Sequence, residues 1–255
     1  IEKIKAFIFE KVNTSNSNGV ILGLSGGIDS SVCLELAVKS LPEHNILALI
    51  MPIDEITPKQ DTEDAILLAK KCKIEYRVIK INNINSEYMK NLVYDKIAQG
   101  NLFARIRMNM LYYHANLMNR LVIGTGDKSE YFLGYFTKFG DGGADICPIG
   151  DLFKTQVRIL GKLLDLPDNI LLKESGPKLW KDHNAEEEIG QTYEKIDNLL
   201  FQVEKFNKFT NPDLLRKSLL EISENIKVEP NEIDKILQLM NTNKHKLTMP
   251  EICKI

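Results

Sequence analysis

The segment that most restricts what this chain can fold into is Gly23-Leu24-Ser25-Gly26-Gly27-Ile28-Asp29-Ser30-Ser31. It joins a short apolar run, Val20 to Leu24, to residues 32–40, which are apolar at helical spacing. A buried strand that turns through two adjacent glycines into a helix opens a βα unit. In open α/β sheets, ligands bind at the carboxyl ends of such strands. The same alternation continues along the chain. Ile46 to Met51, Glu75 to Ile81 and Leu121 to Gly124 read as strands. Ile1, Ile4, Ile8 and Val12 fall at helical spacing. Pro58 to Cys72 predicts a helix with proline in its first turn, and Asn101 to Asn119 a long one. Alternating strands and helices predict an α/β fold, a doubly wound parallel sheet with helices on both faces. Ala185 to about Leu239 reads as peripheral helices. The 255 residues fit a single domain spanning 1–255, with a helical C-terminal segment at about 185–255.

Bulk properties exclude several function classes. The net charge of −2 provides no global positive field for nucleic acid or an anionic membrane, so neither is an expected partner. No stretch approaches bilayer-spanning length, and lysines interrupt the apolar residues at the N-terminus, so no signal-peptide core is expected there. Cys33, Cys72, Cys147 and Cys253 are scattered without a CxxC pair and read as reduced thiols of a cytoplasmic protein.

The loop itself points to phosphate. Two glycines let backbone amides approach an anion with no Cβ in the way, and the helix N-terminus adds partial positive charge. Ser25, Ser30 and Ser31 can donate hydroxyls to phosphate oxygens. Asp29 inside an anion site implies an intervening cation, for which Mg²⁺ is the natural choice. A glycine-rich turn with Ser or Asp as helix cap is the structural alternative. The five fixed letters of SGGxDS, each at about 5–7% usage, give a chance match of roughly one in a million per position. Neither GxxxxGK[ST] nor GxGxxG occurs.

Further along, Thr125 begins the loop after the Leu121–Gly124 strand, and Glu130 can supply a second oxygen to Mg²⁺. Residues 136–144 hold three glycines with Lys138 and Asp141, a composition suited to a lid. Lys154 opens the next helix, where a cation is disfavoured unless an anion is present, so it suggests phosphate or else snorkels to solvent. By composition alone Arg105 reads as a solvated charge, Asp145 as a turn residue and Lys246 as a tail charge. His114 and His183 read as ordinary core or surface residues, and Met108, Met110 and Met118 as core filler.

SGGIDSS resembles the pyrophosphate loop of the N-type ATP pyrophosphatases, whose fold is adenine nucleotide alpha hydrolase-like. Three more segments resemble the ammonia-dependent NAD⁺ synthetases among them: GNLFARIRMNMLYYHAN, VIGTGDKSEYFLGYFTKFGDGGADICPIGDLFKTQVR and NKHKLTMP. The resemblance implies a ligase that uses ATP and ammonia to amidate deamido-NAD⁺ through an acyl-adenylate, with no protein nucleophile. It implies ATP contacts at Gly23, Leu24, Ser25, Gly26, Gly27, Ile28, Asp29, Ser30, Thr125, Lys154 and Ser175. Mg²⁺ would lie on Asp29 and Glu130. Deamido-NAD⁺ would lie on Arg105, Lys138, Asp145, His245 and Lys246, and Asp29, Lys154 and Lys138 would act in catalysis. Gly176 occupies the slot where many relatives carry Thr or Ser next to Pro, which leaves Ser175 as the candidate hydroxyl. A homodimer is implied too, with the site at its seam; Leu102, Phe103, Ile106, Met110, Tyr113 and Leu117 form a stripe that either meets a partner or is buried in the monomer. The alternatives are another N-type ATP pyrophosphatase, tRNA-modifying or amide-forming, and a non-catalytic adenine-nucleotide-binding module.

Overall fold

A computed structural model describes residues 1–206, 211–226 and 228–254. Four strands, β1 (Val20–Gly23), β2 (Ile46–Ile50), β3 (Glu75–Val78) and β4 (Leu121–Ile123), form one parallel sheet in the order β3-β2-β1-β4. Between them lie α1 (Glu2–Thr14), α2 (Ile28–Val38), α3 (Lys59–Lys71), α4 (Asn82–Met89) and α5 (Lys96–Met118). After β4 follow α6 (Lys128–Leu133), α7 (Lys154–Leu163), α8 (Asp168–Leu171), α9 (Ala185–Ile189), α10 (Tyr193–Lys205), α11 (Pro212–Glu221), α12 (Ser223–Ile226) and α13 (Pro230–Asn243).

Period-two alternation sends β1 and β2 side chains to both faces. Val20 and Leu22, with Ile46, Ala48 and Ile50, pack against α1, α2, α3 and α7 through Ile8, Val32, Leu36, Leu68 and Val157. Ile21, Leu47 and Leu49 pack on the opposite face against Phe103, Ile106 and Ala115 of α5. Burial on both faces explains why these strands read as continuous apolar runs. The doubly wound expectation holds. The order reverses at β1, because β1 to β3 grow one way and β4 returns to the other edge of β1. That switch point opens a crevice beyond the strand ends.

Some boundaries differ from the sequence reading. β3 stops at Val78, an exposed edge strand carrying Glu75 and Arg77. Pro58 precedes α3 instead of lying inside it. Helix α5 starts five residues before Asn101, because Asp95 accepts from Ala98 N at 2.7 Å and caps it. The C-terminal helices are not merely peripheral. Tyr193, Ile196, Leu200, Leu219, Ile233 and Ile236 build a separate buried cluster with Leu133 and Phe153, which joins these helices to α6 and α7.

Candidate active site

A cavity of about 260 Å³ lies in the crevice at the switch point. Its walls include Gly23 to Ser25 and Gly27 to Ser30 after β1, Gly124 to Gly126 after β4, and Ser175 to Lys178 from the segment before α9. Gly26 has φ +77°, and a Cβ there would come within 2.1 Å of the Asp61 carbonyl, so only glycine fits. Ser25 Oγ lies 3.0 Å from Ser30 Oγ, and both face the turn. Ser31 does not: its hydroxyl donates to Gly27 O at 2.8 Å inside α2, out of reach of a ligand.

Asp29 and Glu130 do converge, and the group between them is a lysine. Lys154 Nζ lies 2.8 Å from Asp29, 2.9 Å from Asp127 and 3.1 Å from Glu130. The lysine and Asp127 are fully buried, whereas Asp29 and Glu130 keep 22% of their side-chain surface. The reading of Lys154 is thereby corrected. Glu130 has protein partners, Lys154 Nζ and the Asp127 amide at 3.2 Å. The anion that allows Lys154 at the start of a helix is a set of three carboxylates, and the lysine lies behind the cavity wall. Snorkelling is excluded by its burial.

Three carboxylates facing one ammonium leave a surplus of two negative charges when all are ionised. Burial, reinforced by the neighbouring carboxylates against the opposing pull of Lys154, lifts the Glu130 pKa to about 8 and that of Asp127 to about 6. The same carboxylates override desolvation and hold Lys154 well above the ordinary ammonium range. A surplus of hard oxygen donors beside a phosphate-sized loop fits a divalent cation. Among the described residues no cluster of three His, Cys, Asp or Glu side chains is arranged to hold a metal. Mg²⁺ is typically bound by one or two carboxylates together with substrate phosphates, and Asp29 and Glu130 are the two that would hold it here.

The helices enforce this arrangement. Asp127 and Glu130 form the capping box of α6, Asp127 accepting from Glu130 N at 2.8 Å. The start of α7 is capped from the C-terminal cluster: buried Asp197 accepts from Thr155 N at 2.8 Å and from Ser129 Oγ at 2.5 Å. Asp127 and Asp197 were not among the sequence candidates. Asp127 was recoverable, since Asp-x-x-Glu before a helix is a capping signature; Asp197 carries no local signal. Arg107 was also missed. It lines the cavity, donates to Met51 O at 3.1 Å, and burial lowers its pKa to about 10 against the pull of Asp141.

Thr125 and Ser175 both line the cavity, and the buried Ser175 Oγ has no hydrogen-bond partner. At Gly176 a Cβ would sit 2.3 Å from the His183 carbonyl, so that slot cannot carry a hydroxyl residue without rearrangement. His183 is buried, stacked on Trp180, and 2.7 Å from Glu188. Met108 forms cavity wall instead of core, while Met110 and Met118 pack against the α5 core.

The remaining sequence candidates lie outside the cavity lining, and four of them, Arg105, Lys138, His245 and Lys246, form a second group. Lys138 Nζ donates to His245 O at 2.6 Å and Thr248 O at 3.2 Å. Lys246 Nζ donates to Gly134 O at 2.7 Å and Phe136 O at 3.0 Å. Arg105 reaches Lys138 O at 3.3 Å. Asp145 stands apart: it accepts from Val122 N at 2.8 Å and Tyr112 OH at 3.1 Å, bracing the middle of β4. Between the two groups, Phe136 and Gly140 to Gly143 form one side of the cavity.

Comparison with known proteins follows the same lines. Residues 1–250 match the sequence profile of NAD synthase. The NH(3)-dependent NAD(+) synthetase of Staphylothermus marinus is 48% identical over 250 residues, 96% of this chain and 87% of that protein. Among solved structures, the NMN synthetase of Francisella tularensis is similar with a TM-score of 0.85 at 35% identity, covering 100% of this chain and 97% of that one. The NH3-dependent NAD synthetase of Campylobacter jejuni, solved with nitrate, has a TM-score of 0.81 at 37% identity, covering 99% and 96%. With a profile spanning nearly all its residues and relatives this similar along their own length, the chain belongs to the NAD synthase family.

Proposed function

We propose that this chain is an ammonia-dependent NAD⁺ synthetase, which converts the nicotinate carboxylate of deamido-NAD⁺ to the amide while cleaving ATP to AMP and pyrophosphate. The observation that carries this reading is the pairing of a phosphate loop with a carboxylate surplus at one switch point, in a chain of this family. A carboxylate resists ammonia because oxide is a poor leaving group. Its oxygen attacks the α-phosphorus of ATP, the bond to pyrophosphate breaks, and an acyl-adenylate results. Ammonia then attacks the carbonyl carbon, AMP departs with the C–O bond, and a proton passes to solvent.

The protein's contribution is positioning and charge neutralisation. The Gly23–Ser30 loop holds the phosphates through its amides and through Ser25 and Ser30. Asp29 and Glu130 would hold Mg²⁺ against them, and the ion would neutralise charge on the leaving pyrophosphate. Lys154 supports both carboxylates from behind. Thr125 and Ser175 supply hydroxyls to ATP, and the unsatisfied Ser175 Oγ is a donor without an acceptor until a ligand provides one. Arg105, Lys138, Asp145, His245 and Lys246 serve deamido-NAD⁺, and residues 136–144 act as a lid that excludes water from the acyl-adenylate.

We further propose a single catalytic domain, a homodimeric assembly and a cytoplasmic setting. Of the α5 stripe, Phe103 and Ile106 are buried within the chain, while Tyr113 and Leu117 are 65% and 68% exposed and available to a second copy. None of the described helices is long and apolar enough to cross a membrane. A second reading, amidation of a mononucleotide to NMN, is favoured by the likeness to the Francisella protein. Pyrophosphate release with ATP, Mg²⁺ and ammonium, measured with deamido-NAD⁺ and with nicotinate mononucleotide, separates the two. A several-fold higher kcat/KM on the dinucleotide is expected, and a preference for the mononucleotide overturns the first reading. The apparent ammonium requirement should fall as pH rises, because only the free base carries the attacking lone pair.

A further inference from the structure

We infer that Lys173, held by Asp61 and Asp64 of α3, is a positioning residue that aims the Gly26–Gly27 peptide of the phosphate loop at ATP. The inference rests on the ATP-binding part of the proposed function. Lys173 Nζ donates to Gly26 O at 2.9 Å and lies 2.8 Å from Asp61 and 2.7 Å from Asp64. These three acceptors use all three ammonium protons. Both carboxylates are buried, and Asp64 is fixed further by Gln60 and Asn169, each donating to its other oxygen at 2.7 Å. The lysine is thereby fixed, and its hydrogen bond to the loop goes to the Gly26 main-chain carbonyl, while its side chain also borders the cavity.

A trans peptide directs its C=O and N–H to opposite sides. Anchoring the Gly26 carbonyl outward on Lys173 turns the Gly27 N–H inward, where it meets Ser25 Oγ at 3.2 Å on the ligand side. At φ +77° the glycine offers little steric resistance to peptide rotation. Without the lysine, the loop would have to hold this orientation by the serine contact alone. On its outer side the α3 backbone is pressed against the glycine, since the Asp61 carbonyl occupies the space a Cβ would need. The loop is thus clamped at Gly26 by α3 and residue 173, which also border the cavity, and Ser25 and Gly27 to Ser30 are left facing it. Lys178 also pairs with Asp61 and itself borders the cavity.

Direct binding of ATP to the full chain, by calorimetry without acceptor, tests this independently of which carboxylate is amidated. Lys173→Met is expected to weaken ATP at least tenfold, with KM for the acceptor changed less than twofold. Lys173→Arg should recover most of that loss. Asp64→Asn, which removes one of the lysine's two anionic holds while keeping its charge, should weaken ATP in the same direction, and the double variant should be no worse than Lys173→Met alone. Unchanged or tighter ATP binding in Asp64→Asn would mean that a freed Lys173 contacts phosphate itself, and it overturns the positioning role. If Lys173→Met fails to fold, Asp64→Asn and Lys173→Arg decide alone. If the wild type binds ATP yet amidates neither acceptor, the function is wrong and this inference still stands or falls on the ATP titrations.

Discussion

Lys154 sits among three carboxylates at the end of the sheet, whereas Lys138 and Lys246 donate to main-chain carbonyls and form no ion pair among the described residues. The first lysine is more than neutralised, so its surroundings attract a cation. The other two keep a net positive charge and attract an anion. Carbonyl contacts also cost less to exchange for phosphate oxygens than carboxylate contacts do, because exchange leaves no buried charge behind. Under the proposed function the difference would divide the labour: a fixed region for metal and triphosphate on regular elements, and a second region where loop 134–139 and the tail meet, for the dinucleotide.

The largest effect that would test this contrast is Lys154→Met. Removing one partner of a buried ionic cluster strands three carboxylates, with a stability loss of about 3–5 kcal/mol expected and activity abolished. Urea unfolding should show the loss, and Mg²⁺ should restore more stability to this variant than to wild type. Equal Mg²⁺ stabilisation of both would break the charge-surplus account. Asp29→Asn comes next, with kcat lowered about a thousandfold or more at saturating Mg²⁺ while melting shifts little. Wild-type turnover in that variant removes Asp29 from the metal site.

Lys138→Met and Lys246→Met should each raise KM for deamido-NAD⁺ about tenfold and leave ATP binding unchanged, as expected for a lost charge-assisted contact. If ATP binding weakens instead, the two regions are not separate. The smallest effect is set on Asp197→Asn, which keeps an acceptor for Thr155 N but drops the charge at the start of α7. A loss of about 1–2 kcal/mol by denaturant titration is expected, with kcat/KM within a few-fold of wild type.

The sheet was legible because buried parallel strands leave unbroken apolar runs between polar turns, and Val20–Gly23 and Ile46–Ile50 sit where those runs lie. The phosphate loop was legible because a glycine pair and a fixed Asp and Ser are local. What was not legible depends on contacts between distant residues. Glu130 and Asp29 read as two metal ligands, yet only the fold reveals that Lys154 and Asp127 stand between and behind them. Lys173 lies 147 positions from the carbonyl it holds, and no spacing rule reaches that far. Asp197 was hidden in helices that read as peripheral, since their amphipathic pattern does not say which polar residue turns inward.

The position of β1 between β2 and β4 also bears on how the chain is made. β1 ends at Gly23 and its second neighbour begins at Leu121, so about a hundred residues must emerge before that edge can pair. At roughly 5–20 residues per second, the nascent chain carries an open, wholly apolar strand edge for about 5–20 seconds. Val20, Ile21 and Leu22, all fully buried in the finished fold, make that edge a template for pairing with another chain. A ribosome stalled between β3 and β4 should therefore hold a product prone to aggregate, and chaperone demand should drop once Leu121–Ile123 has cleared the exit tunnel.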